Sequence, residues 1–241
     1  MYKIILSLLI LTGNVWAYTP TEKYILSKTI EKNSELLKVE VLSGYYPIQG
    51  DLNDAPAFLE KCTFDQKKRK LFCSIINEVK EQIVNREVKE FGKNSHFSTL
   101  SHLLFSHTIE GWSNSIFGDN GELPALLERY DDQIYWKIGA IQPLYLLKDE
   151  FNVSRVITQV EQKYVVDLSH YKNIGNYYYP LEIKISTLTE PVMMVKVHQI
   201  SVWKLKEKPP YTYEYKNIQQ TLGWSNSKII ENSEKYLSVI R

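Results

Sequence analysis

Apolar and polar positions along this 241-residue chain change their period near residue 132. Before that point the spacing is mostly helical. Lys23 to Lys38 carries Tyr24, Ile25, Ile30, Leu36 and Leu37 on a loosely amphipathic stretch, and turn signals follow at Ser43-Gly44, Pro47 and Gly50 to Asp54. Over 72–91, Phe72, Ile75, Ile76, Val79, Ile83 and Val84 recur at helical intervals, with Glu78, Lys80, Glu81 and Arg86 on the other side. Gly92 ends that run, and Ser95 caps a second predicted helix through Phe97, Leu100, Leu103, Leu104 and Phe105.

Beyond residue 132 the pattern is that of strands. Gln133–Leu147, Val153–Leu168, Tyr178–Leu188 and Val192–Leu205 are rich in β-branched and aromatic residues. In the third, Leu181, Ile183 and Ile185 alternate with Glu182, Lys184 and Ser186, a period of two that buries one face. Thr189-Glu190-Pro191 reads as a tight connection that pairs the third and fourth strands as a hairpin, while Asp149-Glu150 and Ser169 to Asn176 are the other turns. The tail from Lys206 contains Pro209-Pro210, then Tyr211, Tyr213 and Tyr215, and a predicted terminal helix near Lys228–Val239. Helices first and a meandering sheet second define the α+β class, with helices packed in the concave face of a curved four-stranded antiparallel sheet. The expected organisation is a leader over 1–17, a helical extension over 18–94, an α+β domain over 95–206 and a tail over 207–241.

The leader follows from the first residues. Lys3 precedes the apolar run Ile4 to Leu11, Gly13 and Asn14 end it, and Val15-Trp16-Ala17 supplies small residues at cleavage spacing. The run is too short to span a bilayer, which takes about 20 apolar residues. A cleaved secretory signal is therefore expected, with a retained anchor as the rival reading and a periplasmic or secreted destination. Removing 17 of the 241 residues leaves 224, and loss of Lys3 leaves 28 basic and 28 acidic side chains. A neutral chain with no basic block has no electrostatic basis for binding nucleic acid.

Cys62 and Cys73 enclose a ten-residue segment containing Lys67, Lys68, Arg69 and Lys70. In an exported chain such a pair forms a disulfide; a metal or redox pair is the weaker alternative, because CxxC spacing and a neighbouring histidine are both missing.

The stretch Phe105-Ser106 with Glu110-Gly111-Trp112, then Gln142-Pro143, Tyr164 and the hairpin around Pro191 and Val192–Val202, resembles the periplasmic domain of the IcmL/DotI family of type IVB secretion machines. The resemblance covers roughly residues 95–206. It implies a cystatin-like, nuclear-transport-factor-2-like fold and a role in assembly through protein contact, with secretion-system components as partners. It carries over no catalytic residue. Members of that family are fixed in the inner membrane by a full transmembrane helix, which the short leader here does not match.

Catalytic and metal chemistry find little support. His96, His102 and His107 lie at offsets of six and five, which do not stack on a helix, and HExxH does not occur. No Gly-x-Ser-x-Gly elbow is present. Asp131-Asp132 and Asp149-Glu150 flank strands as adjacent loop acids, and Gly118-Asp119-Asn120-Gly121 has too few acids for a calcium loop. Asn152-Val153-Ser154 is a glycosylation sequon, relevant only in a eukaryotic source. No catalytic residue, metal or cofactor is expected. Seventeen tyrosines favour contact surfaces, and Tyr177, Tyr178 and Tyr179 are the candidate exposed interface. Trp136, Tyr145, Tyr164, Met194 and Trp203 are the candidate lining of a pocket enclosed by the sheet. The expected function is that of a non-enzymatic exported protein acting by protein contact; the alternatives are a pocket binding a small apolar ligand, or a secreted effector.

Overall fold

The computed structural model describes residues 19–32, 37–48, 56, 58–65, 70–77, 82–85, 89–90, 104, 116, 123–140, 142–159, 163–204 and 211–214. The predicted leader, the histidines 96, 102 and 107, and the terminal helix lie outside them.

Glu22–Glu31 forms a helix, α1. The Thr21 hydroxyl accepts from the Tyr24 amide at 3.2 Å, Glu22 sits in the first turn and Lys28 in the last, an arrangement that suits the helix dipole. Ile25 and Leu26 are fully buried. The helix stops well short of Lys38, because the chain from Leu37 onward alternates: Val39, Val41, Ser43 and Tyr45 are buried, and Leu37–Pro47 is strand β1. Ser43-Gly44, read as a turn, lies within that strand.

Twelve further strands follow among the described residues: β2 (Phe58–Asp65), β3 (Lys70–Asn77), β4 (Gln82–Asn85), β5 (Lys89–Glu90), β6 (Leu126–Tyr130), β7 (Gln133–Ile138), β8 (Leu144–Leu147), β9 (Val153–Gln159), β10 (Lys163–Ile174), β11 (Tyr177–Ser186), β12 (Pro191–Lys204) and β13 (Tyr211–Glu214). All thirteen belong to one sheet, in the order β4-β3-β2-β1-β12-β11-β10-β9-β8-β7-β6, with β13 on β12 and β5 on β3. Every pairing is antiparallel.

This overturns the expected α+β class with a four-stranded sheet. Residues 72–91, predicted helical, contribute β3, β4 and β5. Their apolar residues fit two periods at once, and pairing with β2 decided for the strand: Leu71, Cys73 and Ile75 lie opposite Phe64, Cys62 and Glu60. Two predicted strands are each a hairpin. Gln133–Leu147 breaks at Gly139, whose φ of +88° suits glycine and whose Cβ position would lie 2.6 Å from Ile116 Cγ2. Val153–Leu168 breaks between β9 and β10. The predicted turn from Ser169 is strand as far as Ile174 and bends only at Gly175-Asn176. The predicted hairpin through Pro191 does form, as β11 and β12. Nor is the IcmL/DotI resemblance upheld, since that family's four-stranded sheet is not the one this chain builds, and the type IV secretion role falls with it.

One sheet face carries the core. Val39, Val41, Tyr45, Phe58, Phe64, Val166, Ile183, Ile185, Val195 and Ile200 point into it, joined by Ile25 and Leu26 of α1 and by the buried, helical Leu104 and Ile116. Each such aliphatic side chain stabilises the fold by about 1.5–3 kcal/mol relative to exposure. At the sheet's far end the pattern inverts: β6 is outermost among the described strands, and Leu126, Leu127 and Tyr130 are each more than half exposed.

Cys62 and Cys73 form the expected disulfide. They face each other directly across β2 and β3, and both are buried. Replacing both by alanine lowers the unfolding free energy by about 2–3 kcal/mol, as a chain-entropy account of so short a loop requires. A urea titration of the double variant against the native chain measures it; equal midpoints would show the bond to be neutral.

β1 and β12 fall out of step between Leu42 and Ser43, whose partners are Gln199 and Val197, so His198 is an inserted bulge residue. Its ring is buried over the Gly44 backbone, with Nε2 2.9 Å from Tyr46 Oη. Burial first, and the charge of Lys196 second, lower its pKa and favour the neutral imidazole. A Cβ on Gly44 would stand 2.3 Å from His198 Nε2. Gly44→Ala therefore displaces the ring and destabilises by about 1–3 kcal/mol, an overpacking effect that calorimetry can read as a lowered Tm.

Candidate functional site

Antiparallel register lines up a row of side chains on the face opposite the core. Leu126 is opposite Lys137, Lys137 opposite Tyr145, Tyr145 opposite Arg155, Arg155 opposite Asp167, Asp167 opposite Lys184, Lys184 opposite Met194, and Met194 opposite Tyr46. The row crosses from β6 to β1. Directly opposed side chains on one face are within contact reach, so this row is a continuous chemical surface.

Its β6–β11 part borders a groove of about 470 Å³. The rings of Tyr130, Tyr135 and Tyr145 line it together with Ile157 and Val165, Leu168 borders it from a strand position whose side chain is in the core, and the polar groups are Glu128, Arg129, Asp131, Ser154, Arg155, Asp167, Ser169 and Lys184. Arg155 is its best-fixed charge. Its Nε donates to Asp167 Oδ1 at 2.5 Å, and the Tyr130 ring lies 4.3 Å from its guanidinium carbon. Burial opposes the Arg155 charge, but hydrogen bonds to Asp167 and Tyr130 outweigh it and hold the pKa above the ordinary guanidinium value. Lys137 Nζ pairs with Glu128 Oε1 at 2.6 Å while lying 5.8 Å from the Tyr145 ring centre. Arg129 pairs with Asp132 at 3.2 Å.

The other polar positions are structural. On the core face Tyr45 Oη donates to Glu60 Oε2 at 2.5 Å. Glu60 lies with Cys62 and Cys73 within 4.8 Å, the spacing of a metal site, yet both sulfurs are bonded to each other. The Glu22 carboxylate accepts from the Gly139 amide at 2.9 Å; burial raises its pKa and that bond opposes the rise. Lys32 at the end of α1 donates to the Glu150 carbonyl and, at 2.8 Å, to Asn152 Oδ1. Beside it, a cavity of about 30 Å³ under Thr29, Leu104, Tyr171 and Tyr178 has room for about one water.

Of the five expected pocket residues, Tyr145 lines the groove and the other four do not. Trp136 and Tyr164 are core residues, and Trp136 Nε1 donates to the Lys148 carbonyl at 3.2 Å. Met194 is half-buried further along the outer row, and Trp203 sits on β12 with Lys38 Nζ 5.4 Å from its ring centre. The expected tyrosine surface is mostly interior. Tyr177 and Tyr179 are buried and stacked 6.1 Å apart, Tyr177 Oη donating to the Leu104 carbonyl, and Tyr178 is half-buried with Lys32 Nζ 5.0 Å from its ring. Asp131 and Asp132 occupy the β6–β7 turn at positive φ, and Asp131 reaches the groove's edge. Sequence reasoning missed Tyr130, Arg155, Asp167 and Lys184. The signal for them is the polar half of the period-two pattern, whose apolar half marks the buried face.

Asp167→Asn removes the counter-charge of a half-buried arginine. It lowers stability by about 1–3 kcal/mol, the range for hydrogen bonds to charged groups, measurable as a shifted urea midpoint. An unchanged midpoint would place the pair among ion pairs of negligible net worth.

No family model matches the chain, and no curated protein matches it. Solved structures give loose likenesses. A LolA superfamily protein from Nitrosomonas europaea is 15% identical with a TM-score of 0.46, covering 79% of this chain and 96% of that one. A domain assigned to outer membrane lipoprotein sorting, from Vibrio parahaemolyticus, is 8% identical with a TM-score of 0.42, covering 77% and 94%. A DUF1329 family protein from Desulfovibrio piger is 7% identical with a TM-score of 0.41, covering 74% and 90%. All three TM-scores lie below 0.5.

Proposed function

We propose that this chain is an exported, non-catalytic binding module that holds a small ligand with an apolar body in the groove between β6 and β11. The observation that carries this reading is the groove itself. Its volume of about 470 Å³ falls within the range of about 300–1,000 Å³ usual for small-molecule sites. Three tyrosine rings and the aliphatic side chains of Ile157 and Val165 supply the apolar wall. The site stands on strands, so its geometry is set before the ligand arrives.

Binding without chemistry is the better reading because Arg155, Glu128 and Arg129 are each tied into an ion pair. Ligand binding is preferred to the protein-contact role because Tyr177 and Tyr179, two of the three residues proposed for contact, are buried. Export is supported by the leader pattern over 1–17 and by the buried disulfide, a bond that persists in oxidising compartments. Among the described residues no helix is long and apolar enough to cross a membrane.

Titration of the chain with N-phenyl-1-naphthylamine, a neutral probe that brightens in apolar surroundings, tests the reading. Saturable binding is expected, and Ile157→Asp, which puts a charge into the apolar wall, weakens it tenfold or more, about 1.4 kcal/mol. Binding of equal strength in a folded Ile157→Asp chain would remove the groove as the site.

A further inference from the structure

We infer that the ligand of this groove carries an anionic group, a carboxylate or a phosphate, received by Lys184 on β11 and by the Arg155 guanidinium two strands away on β9. The inference rests on the groove being a ligand site and adds the chemistry of the ligand's polar end.

The charges that line the groove balance in number, but they are not all joined in ion pairs. Glu128 is matched by Lys137, Arg129 by Asp132, and Asp167 by Arg155. Lys184 is half-buried, lines the groove, and has no ion-pair partner among the described residues. Its cross-strand neighbour is Asp167, whose Oδ1 is already engaged by Arg155 Nε at 2.5 Å. The Lys184 ammonium is therefore the lining cation whose charge is left to meet an incoming anion. The remaining lining acid without an ion pair, Asp131, is exposed in the β6–β7 turn, on the other side of the groove from β11.

Arg155 makes the same end of the groove selective. A guanidinium has five N–H donors in a planar fork, and the Asp167 contact uses the one on Nε. The four on the two Nη atoms remain for Tyr130 and for a ligand. Asp167 fixes the plane from its edge and Tyr130 covers its face, so the fork is oriented in advance. Lys184 and Arg155 flank Asp167 on the outer face, and two long cationic side chains reaching over it suit a carboxylate or phosphate, whose oxygens accept several charge-assisted hydrogen bonds at once. The apolar body of the ligand would then lie toward Tyr130, Tyr145 and Ile157.

Displacement of bound N-phenyl-1-naphthylamine from the full chain, below micellar concentrations at pH 8, tests this with four competitors: dodecanoate, dodecyl phosphate, dodecanol and inorganic phosphate. The two anionic amphiphiles are expected to compete at least tenfold better than dodecanol. In Lys184→Gln that preference collapses to within about threefold while dodecanol competes as before, and Lys184→Arg retains the preference. Dodecanol competing as well as the anions in the native chain overturns the inference, as does a preference unchanged in Lys184→Gln. Dodecanoate ahead of dodecyl phosphate, or the reverse, tells a free acid from a phosphate headgroup. Inorganic phosphate displacing the probe as well as dodecyl phosphate would keep the anion site and overturn the apolar body. If none of the four displaces a probe that binds, the groove is not the probe's site, and both readings fail together.

Discussion

The backbone ladder between β1 and β12 is the constraint on which the rest of the sheet depends. It runs from Leu37 opposite Lys204 to Pro47 opposite Met193. On one side the chain meanders outward through β2 and β3, and on the other back through β11 to β6. Within each arm, strands near in sequence are near in space. Among the described residues this ladder is the strand pairing that fuses the arms, and it must close a loop of more than 140 residues at an entropic cost on the order of 4–5 kcal/mol. Its inward side chains offset that cost, since Val39, Val41, Tyr45, Val195, Ile200 and Val202 form the middle of the core.

The same register that builds the core also composes the groove. Side chains alternate between faces, so each pairing that buries a valine or isoleucine places a charged or aromatic residue on the other side. Val166 opposite Val156 implies Asp167 opposite Arg155 on the next step. A slip of one residue would put Arg155 in the core and dissolve the groove at once. Stability and site are therefore coupled through hydrogen-bond register, with no loop needed to carry the binding residues.

How much of this was legible in the chain depended on whether a local rule sufficed. The Leu181–Ser186 alternation and the turn at Thr189-Glu190-Pro191 located β11 and β12 without outside help. Cys62 and Cys73 identified their own bond. The stretch 72–91 reads as helix because Ile75, Ile76 and Val79 satisfy a helical template, whereas the decisive alternation of Leu71, Cys73 and Ile75 gains meaning only once β2 lies alongside. The disulfide held that information: two cysteines that must face each other across a ten-residue segment are most simply opposed in a hairpin. Of the groove, Tyr145 was anticipated. Arg155 and Asp167 are hidden in the chain because Val153–Leu168 has the composition of a single strand; a turn between Gln159 and Lys163 brings those two residues opposite each other by counting alone. The family resemblance misled because Phe105 to Trp112 is a short motif that does not fix strand number.

The placement of β1 at the centre of the sheet has a consequence for the order in which the chain becomes available. Synthesis proceeds from the N-terminus, so β1 exists long before its partner: residues 48–190 must be made before Pro191–Lys204 can begin to pair. At about 5–20 residues per second that interval is roughly 7–30 s. Throughout it, β2 can cover one edge of β1 while the other edge stays open, an invitation to wrong partners. A chain held unfolded until export, and released whole on the far side of a membrane, meets both edges at the same moment. The topology thus favours delivery as a complete strand of polypeptide over folding as it emerges.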